Sequence, residues 1–106
     1  MSDQDRRDLV AQMKNRALVY MEMYDVLAED LGEHRAEALL TRAIYRRGRS
    51  MGKSFAKYGP ADLDGLREAF LGSVPGGTEI FQPEVLKQED AALEIQLHGC
   101  PLKDAW

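Results

Sequence analysis

Apolar residues recur through the first third of the chain at Val10, Met13, Ala17, Tyr20, Tyr24, Leu27 and Leu31. The steps alternate between three and four, which is the stripe of one helix face held over about three heptads. The spacing predicts a helix over about residues 4–31. Ser2 or Asp3 can cap it, and Asp3, Asp5 and Asp8 sit where the helix dipole favours negative charge. Leu9, Leu18 and Met21 widen the stripe beyond a narrow seam, and Gly32 is placed to end the helix. A second helix is predicted over about 34–58, with Ala36, Leu39, Leu40, Ala43, Ile44, Met51 and Phe55 on its apolar face. Gly48 and Gly52 lie one turn apart on it. Each lowers helix propensity by about 1 kcal/mol relative to alanine. They are expected either to let another backbone approach or to leave room for a ligand.

Gly59-Pro60 breaks the pattern. A third helix is predicted from about 60 to 71, with Leu63, Leu66, Ala69 and Phe70 inward, followed by a loop at Val74-Pro75-Gly76-Gly77. From Glu84 the period falls to about two. Residues 85–88 and 93–97 read as strands, joined by a turn at 89–92. Leu93, Ile95 and Leu97 point to one face, and Glu94, Gln96 and His98 to the other. Gly99-Cys100-Pro101 ends the strand, and Leu102 to Trp106 reads as the first turn of a further helix. The predicted fold class is α+β, mainly α: two long helices, a shorter third, and a C-terminal β-hairpin. One domain is expected over 1–106, with a helical part over 1–73 and the hairpin and terminal turn over 78–106.

The pattern also bears on assembly. A two-stranded hairpin is marginal in water and leaves both edges open. A long helix with a sustained apolar stripe needs more partner surface than one other long helix offers. Both features predict a second protein chain as partner, either another copy or a larger subunit. The alternative is a hairpin folded back on the helices of a monomer.

Composition narrows the class. The chain has 106 residues, 44% apolar and 30% charged, which are globular proportions. A chain of this length buries only about 60–70% of its unfolded surface, so its stability is thin. The net charge of -4 and pI of about 5.1 argue against nucleic acid as a partner, because phosphate binding needs a basic surplus. No apolar run approaches the roughly 20 residues of a membrane span. The polar start MSDQDRRDLV does not fit a secretory segment, and a single cysteine fits a reducing compartment. A cytoplasmic location is therefore expected.

Cys100 is the first candidate for chemistry. A thiol between a strand end and a helix start can be held as thiolate by nearby backbone N–H groups, which suits a nucleophile. His98, two residues away, is a candidate base. The competing reading makes Cys100 a small buried hydrophobe. No metal or cofactor is expected: His34, His98 and Cys100 are the only nitrogen and sulfur candidates, and His34 is remote in sequence. Arg42, Arg46, Arg49, Lys53 and Lys57 form a basic stripe on the second predicted helix. It reads as a site for a carboxylate, a phosphate or an acidic partner, or as a solvated face pairing with Glu22, Asp25 and Glu29. Tyr20, Tyr24 and Tyr45 either line a pocket with their hydroxyls or belong to the core. There is no phosphate-binding loop motif.

The stretch from Phe81 to Trp106 resembles the L-2-amino-thiazoline-4-carboxylic acid hydrolase family. The residues that carry the resemblance are Phe81-Gln82-Pro83-Glu84-Val85, the segment Leu93 to Leu97, and Cys100-Pro101-Leu102-Lys103-Asp104-Ala105-Trp106, which is similar to that family's C-P-L-x-x-A-W element. Upstream, Ala38-Leu39-Leu40, Tyr45-Arg46-Arg47-Gly48-Arg49 and Gly52 are similar to its R-G-x-x-x-G region. The resemblance covers about residues 33–106. It implies a hydrolase that opens small cyclic amidine-like substrates, or a domain descended from one. On that reading Cys100 is the nucleophile or a pocket wall, His98 a base, and Arg46 or Arg49, with Tyr45, the substrate-binding residues. The family's pattern continues past the C-P-L-x-x-A-W element. The chain is therefore expected to be a small subunit or reduced homologue, or else a non-catalytic helical subunit that completes a larger enzyme.

Overall fold

The computed structural model describes residues 1–106. Helix α1 spans Asp3–Leu31. Its start is fixed by Ser2, whose Oγ accepts the Asp5 N–H at 3.0 Å, satisfying one of the free donors of the first turn. Its end is fixed by Gly32, at φ 86°, whose N–H bonds Ala28 O at 2.9 Å. A left-handed φ costs glycine little. This one residue joins α1 to α2 (Glu33–Gly52), which packs back against α1 as a helical hairpin.

The second helix stops six residues short of the predicted end. Gly48 and Gly52 weaken its last turns, and Ser54 Oγ turns back to Met51 O at 2.9 Å. A single 3₁₀ turn follows at Ala56–Tyr58. Helix α3 covers Leu63–Ser73, later than the sequence pattern suggests, because Asp62 caps it by accepting the Gly65 N–H at 2.9 Å. Pro60 and Ala61 stay in the turn before it. A short helix, α4 (Thr78–Phe81), occupies what reads in the sequence as the approach to the hairpin.

Strands β1 (Pro83–Glu89) and β2 (Ala92–Leu97) pair antiparallel through a two-residue turn at Asp90-Ala91. The register shifts between Val85 and Lys87, leaving Leu86 as the extra residue of a bulge. The hairpin lies against α3. Arg67 Nη1 donates to Gln88 Oε1 at 2.8 Å, and Gln88 Nε2 donates to Asp64 Oδ1. The last element, α5 (Pro101–Ala105), packs on α1. The fold is thus α+β and mainly α, as the sequence pattern predicts.

The interior is small. Only Met13, Ala17, Ala36, Ile80 and Pro101 are buried, and no large side chain is fully enclosed. The radius of gyration is 16.7 Å, against about 13 Å for a compact domain of this length. Gly48 and Gly52 meet no neighbouring backbone: a Cβ at either would touch nothing. No helix is long and apolar enough to cross a membrane.

Candidate functional site: a cleft around Cys100

The end of β2 is fastened to α4. Phe81 O accepts the N–H groups of both His98 and Gly99, each at 3.0 Å. Gly99 presses so close that a Cβ there would collide with Ile80 O, so no other residue fits without moving the backbone. The chain leaves this clamp extended, with Cys100 at φ -151° and ψ 100°. Pro101 opens α5, where its fixed φ suits the first helical position and its missing N–H costs nothing. Asp104 N–H closes the turn on Cys100 O at 3.1 Å. At the far end Trp106 Nε1 donates to Ala17 O at 2.7 Å, holding α5 on α1.

Between α1, α4 and α5 lies an open cleft of about 520 Å³. Cys100, partly buried, forms one wall with Gly99, Pro101 and Asp104. Glu79 and Ile80 come from α4. The opposite wall is the first half of α1: Val10 and Ala11 with Arg6, Arg7 and Lys14. Three cations thus face two carboxylates, Glu79 and Asp104, around the chain's one thiol. Arg6 reaches Asp3 at 3.4 Å and Arg7 donates to Gln4 Oε1 at 2.9 Å, both in exposed contacts. Lys14 has no ion-pair partner in the chain. No cluster of His, Cys, Asp and Glu is arranged to hold a metal ion.

The residues singled out in the sequence fall in separate places. Cys100 lines the cleft, but His98 does not. The His98 ring meets the Glu84 carboxylate instead, Nε2 to Oε2 at 2.7 Å, with both side chains exposed. Arg46 and Arg49 are exposed on α2. Tyr45 lies over a shallow hollow on α2 beside His34 and Arg42. Sequence reading did not pick out Arg6, Arg7, Lys14, Glu79 or Asp104. A signal for part of this set was present: Arg6, Val10 and Lys14 step by four along the edge of the first apolar stripe, so two cations ride beside residues that pack inward.

Fold and cleft together define a mainly helical α+β protein whose thiol opens onto a cation-rimmed recess. The family model for L-2-amino-thiazoline-4-carboxylic acid hydrolase matches residues 12–106, and the chain belongs to that family. The match reaches back through most of α1, so it includes Lys14 as well as the terminal Cys-Pro-Leu element. No curated protein sequence matches the chain, and no solved structure matches it.

Proposed function

We propose that this chain is a component of a hydrolase that opens a C–N bond in a small cyclic amidine- or amide-like substrate bearing a carboxylate. The observation that carries the reading is the placement of Cys100 in a cleft whose facing wall supplies Arg6, Arg7 and Lys14. A substrate carboxylate held by those cations is fixed relative to the thiol, and such positioning lowers the barrier by removing orientational freedom. In the step that follows, Cys100 Sγ passes its proton to a cleft carboxylate, Glu79 or Asp104, and bonds to the electrophilic carbon. The C–N bond then breaks as nitrogen takes up that proton. Water next attacks the same carbon, the Sγ–C bond breaks, and the thiol is restored. His98 can serve as base only by turning away from Glu84. The stripe containing Arg46 and Arg49, with Tyr45, offers a second surface for a carboxylate on α2.

The test is turnover of cyclic amidine carboxylates by the purified protein. Cys100→Ala should abolish turnover and leave the melting temperature nearly unchanged. Lys14→Ala should raise KM by about tenfold, the loss of one charge-assisted contact. Retained activity in the cysteine variant removes the thiol from the mechanism.

The meagre interior favours a second reading, a non-catalytic helical subunit, in which Cys100 reacts slowly with thiol reagents. Rapid labelling of Cys100 counts against that reading.

A further inference from the structure

Trp106 is held by its polar atom more than by its ring. The residue is 68% exposed, so its indole buries little apolar area and gains little from doing so. Its Nε1–H nevertheless donates to Ala17 O at 2.7 Å, a bond between residues 89 apart in sequence. Ala17 is fully buried, and its single methyl lets α5 come close to the α1 backbone.

The bond falls at a particular level of α1. The α1 residues of the Cys100 cleft run from Arg6 to Lys14, and Ala17 lies just under one turn further on. From Val10 to Ala17 a helix rises about 10 Å, and from Cys100 to Trp106 about 9 Å. The two segments therefore lie side by side in step, with Cys100 at the level of the cations and Trp106 one turn beyond them. A helix of five residues cannot hold its shape or place alone. At the Cys100 end the Gly99 clamp ties the chain to α4. At the other end the Trp106 bond is the one hydrogen bond between α5 and α1, and no ion pair joins the two helices.

We propose that Trp106 is a positioning residue for Cys100: its bond to Ala17 O holds α5 against α1 and so keeps the thiol and Asp104 facing Arg6, Arg7 and Lys14. The inference rests on the reading of this cleft as a carboxylate site served by Cys100. Loss of the bond frees α5 to swing about the Gly99 clamp, which stays fastened to Phe81 O. The thiol then turns towards solvent and leaves the field of the cations, while the α1–α2 hairpin stands unchanged.

Two alkylating reagents of similar size and different charge test this, iodoacetate and iodoacetamide. Both are attacked by the same thiolate, with an Sγ–C bond formed and iodide released. The ratio of their rates therefore cancels the ionised fraction of the thiol and leaves the effect of the reagent's charge. In the native chain the iodoacetate-to-iodoacetamide ratio should exceed that of the urea-unfolded chain by on the order of fivefold at low ionic strength, the effect of one cation about 4 Å away in water. The excess should vanish at about 1 M salt. Trp106→Phe keeps an aromatic ring and removes the N–H. It should bring the ratio down to the unfolded value while iodoacetamide alone reacts faster, a split that simple loosening of the fold would not give. Hydrogen exchange should quicken over Pro101–Ala105 and stay unchanged over α1 and α2. Lys14→Ala should lower the ratio with exchange over α5 unchanged. A native chain with no excess overturns both the positioning role and the carboxylate reading of the cleft. An excess that survives in Trp106→Phe overturns the positioning role alone, and so does a Trp106→Phe chain whose exchange quickens throughout α1 and α2.

Discussion

Gly99→Ala should be far more damaging than a one-carbon change suggests. The new Cβ meets Ile80 O, a backbone atom inside the turn that holds α4 and β1. It cannot rotate away as a side chain would. Relief requires the segment to retreat, which stretches both bonds that Phe81 O accepts, from His98 N–H and Gly99 N–H, now 3.0 Å each. Each such bond is worth about 1 kcal/mol, and forced overpacking adds about 1–3 kcal/mol. A total loss of roughly 2–4 kcal/mol follows. For a domain of this size each kcal/mol moves the midpoint by about 4–8 °C, so the melt should fall by at least roughly 10 °C. The internal control is Gly72→Ala on α3, where a Cβ touches nothing. That change should stabilise by up to about 1 kcal/mol. Both melts can be followed by circular dichroism at 222 nm, with Cys100 labelling by a chromogenic disulfide recorded in parallel. Gly99→Ala should also speed labelling, because the clamp that places the thiol is loosened. Equal melting of the two variants, with equal labelling rates, would show that Gly99 is a spacer and that the clamp is not what holds Cys100.

Three further outcomes follow from local geometry. Gly48→Ala, at an open position within α2, should raise stability by about 1 kcal/mol in a denaturant titration, and a loss would show that another backbone comes close there. Asp62→Ala removes the cap that Gly65 N–H donates to and should cost about 1 kcal/mol in the same titration. Trp106→Phe deletes the 2.7 Å bond to Ala17 O, and hydrogen exchange over Pro101–Ala105 should accelerate while α3 is unaffected.

Periodicity made the two long helices, the third helix and the hairpin readable, because each keeps one spacing over several turns or pleats. Boundaries were less readable where a side chain competes with the backbone. Ser54 ends α2 early and Asp62 delays α3, and neither effect has a period. The α4 turn was hidden for the same reason: four residues cannot establish a repeat. The thiol was visible from its place between strand and helix. Its surroundings were not, because Arg6, Arg7 and Lys14 lie more than eighty residues earlier and meet Cys100 only when α5 folds onto α1. Gly99 carried a hint of close approach, but only coordinates reveal Ile80 O as the atom it accommodates.

Gly32 has one further consequence. A lone residue at φ 86° is all that separates the two longest helices. A side chain there, most simply in Gly32→Ala, penalises the reversal and favours continuation. Asp3 to Gly52 would then run as one rod of about 75 Å. Such a rod cannot fold its stripe back on itself, so Gly32→Ala should leave the apolar faces of both helices open and draw chains into exchanged or open-ended assemblies. The closure of the two helices on each other therefore rests on a residue whose own position is open, where a Cβ would touch nothing.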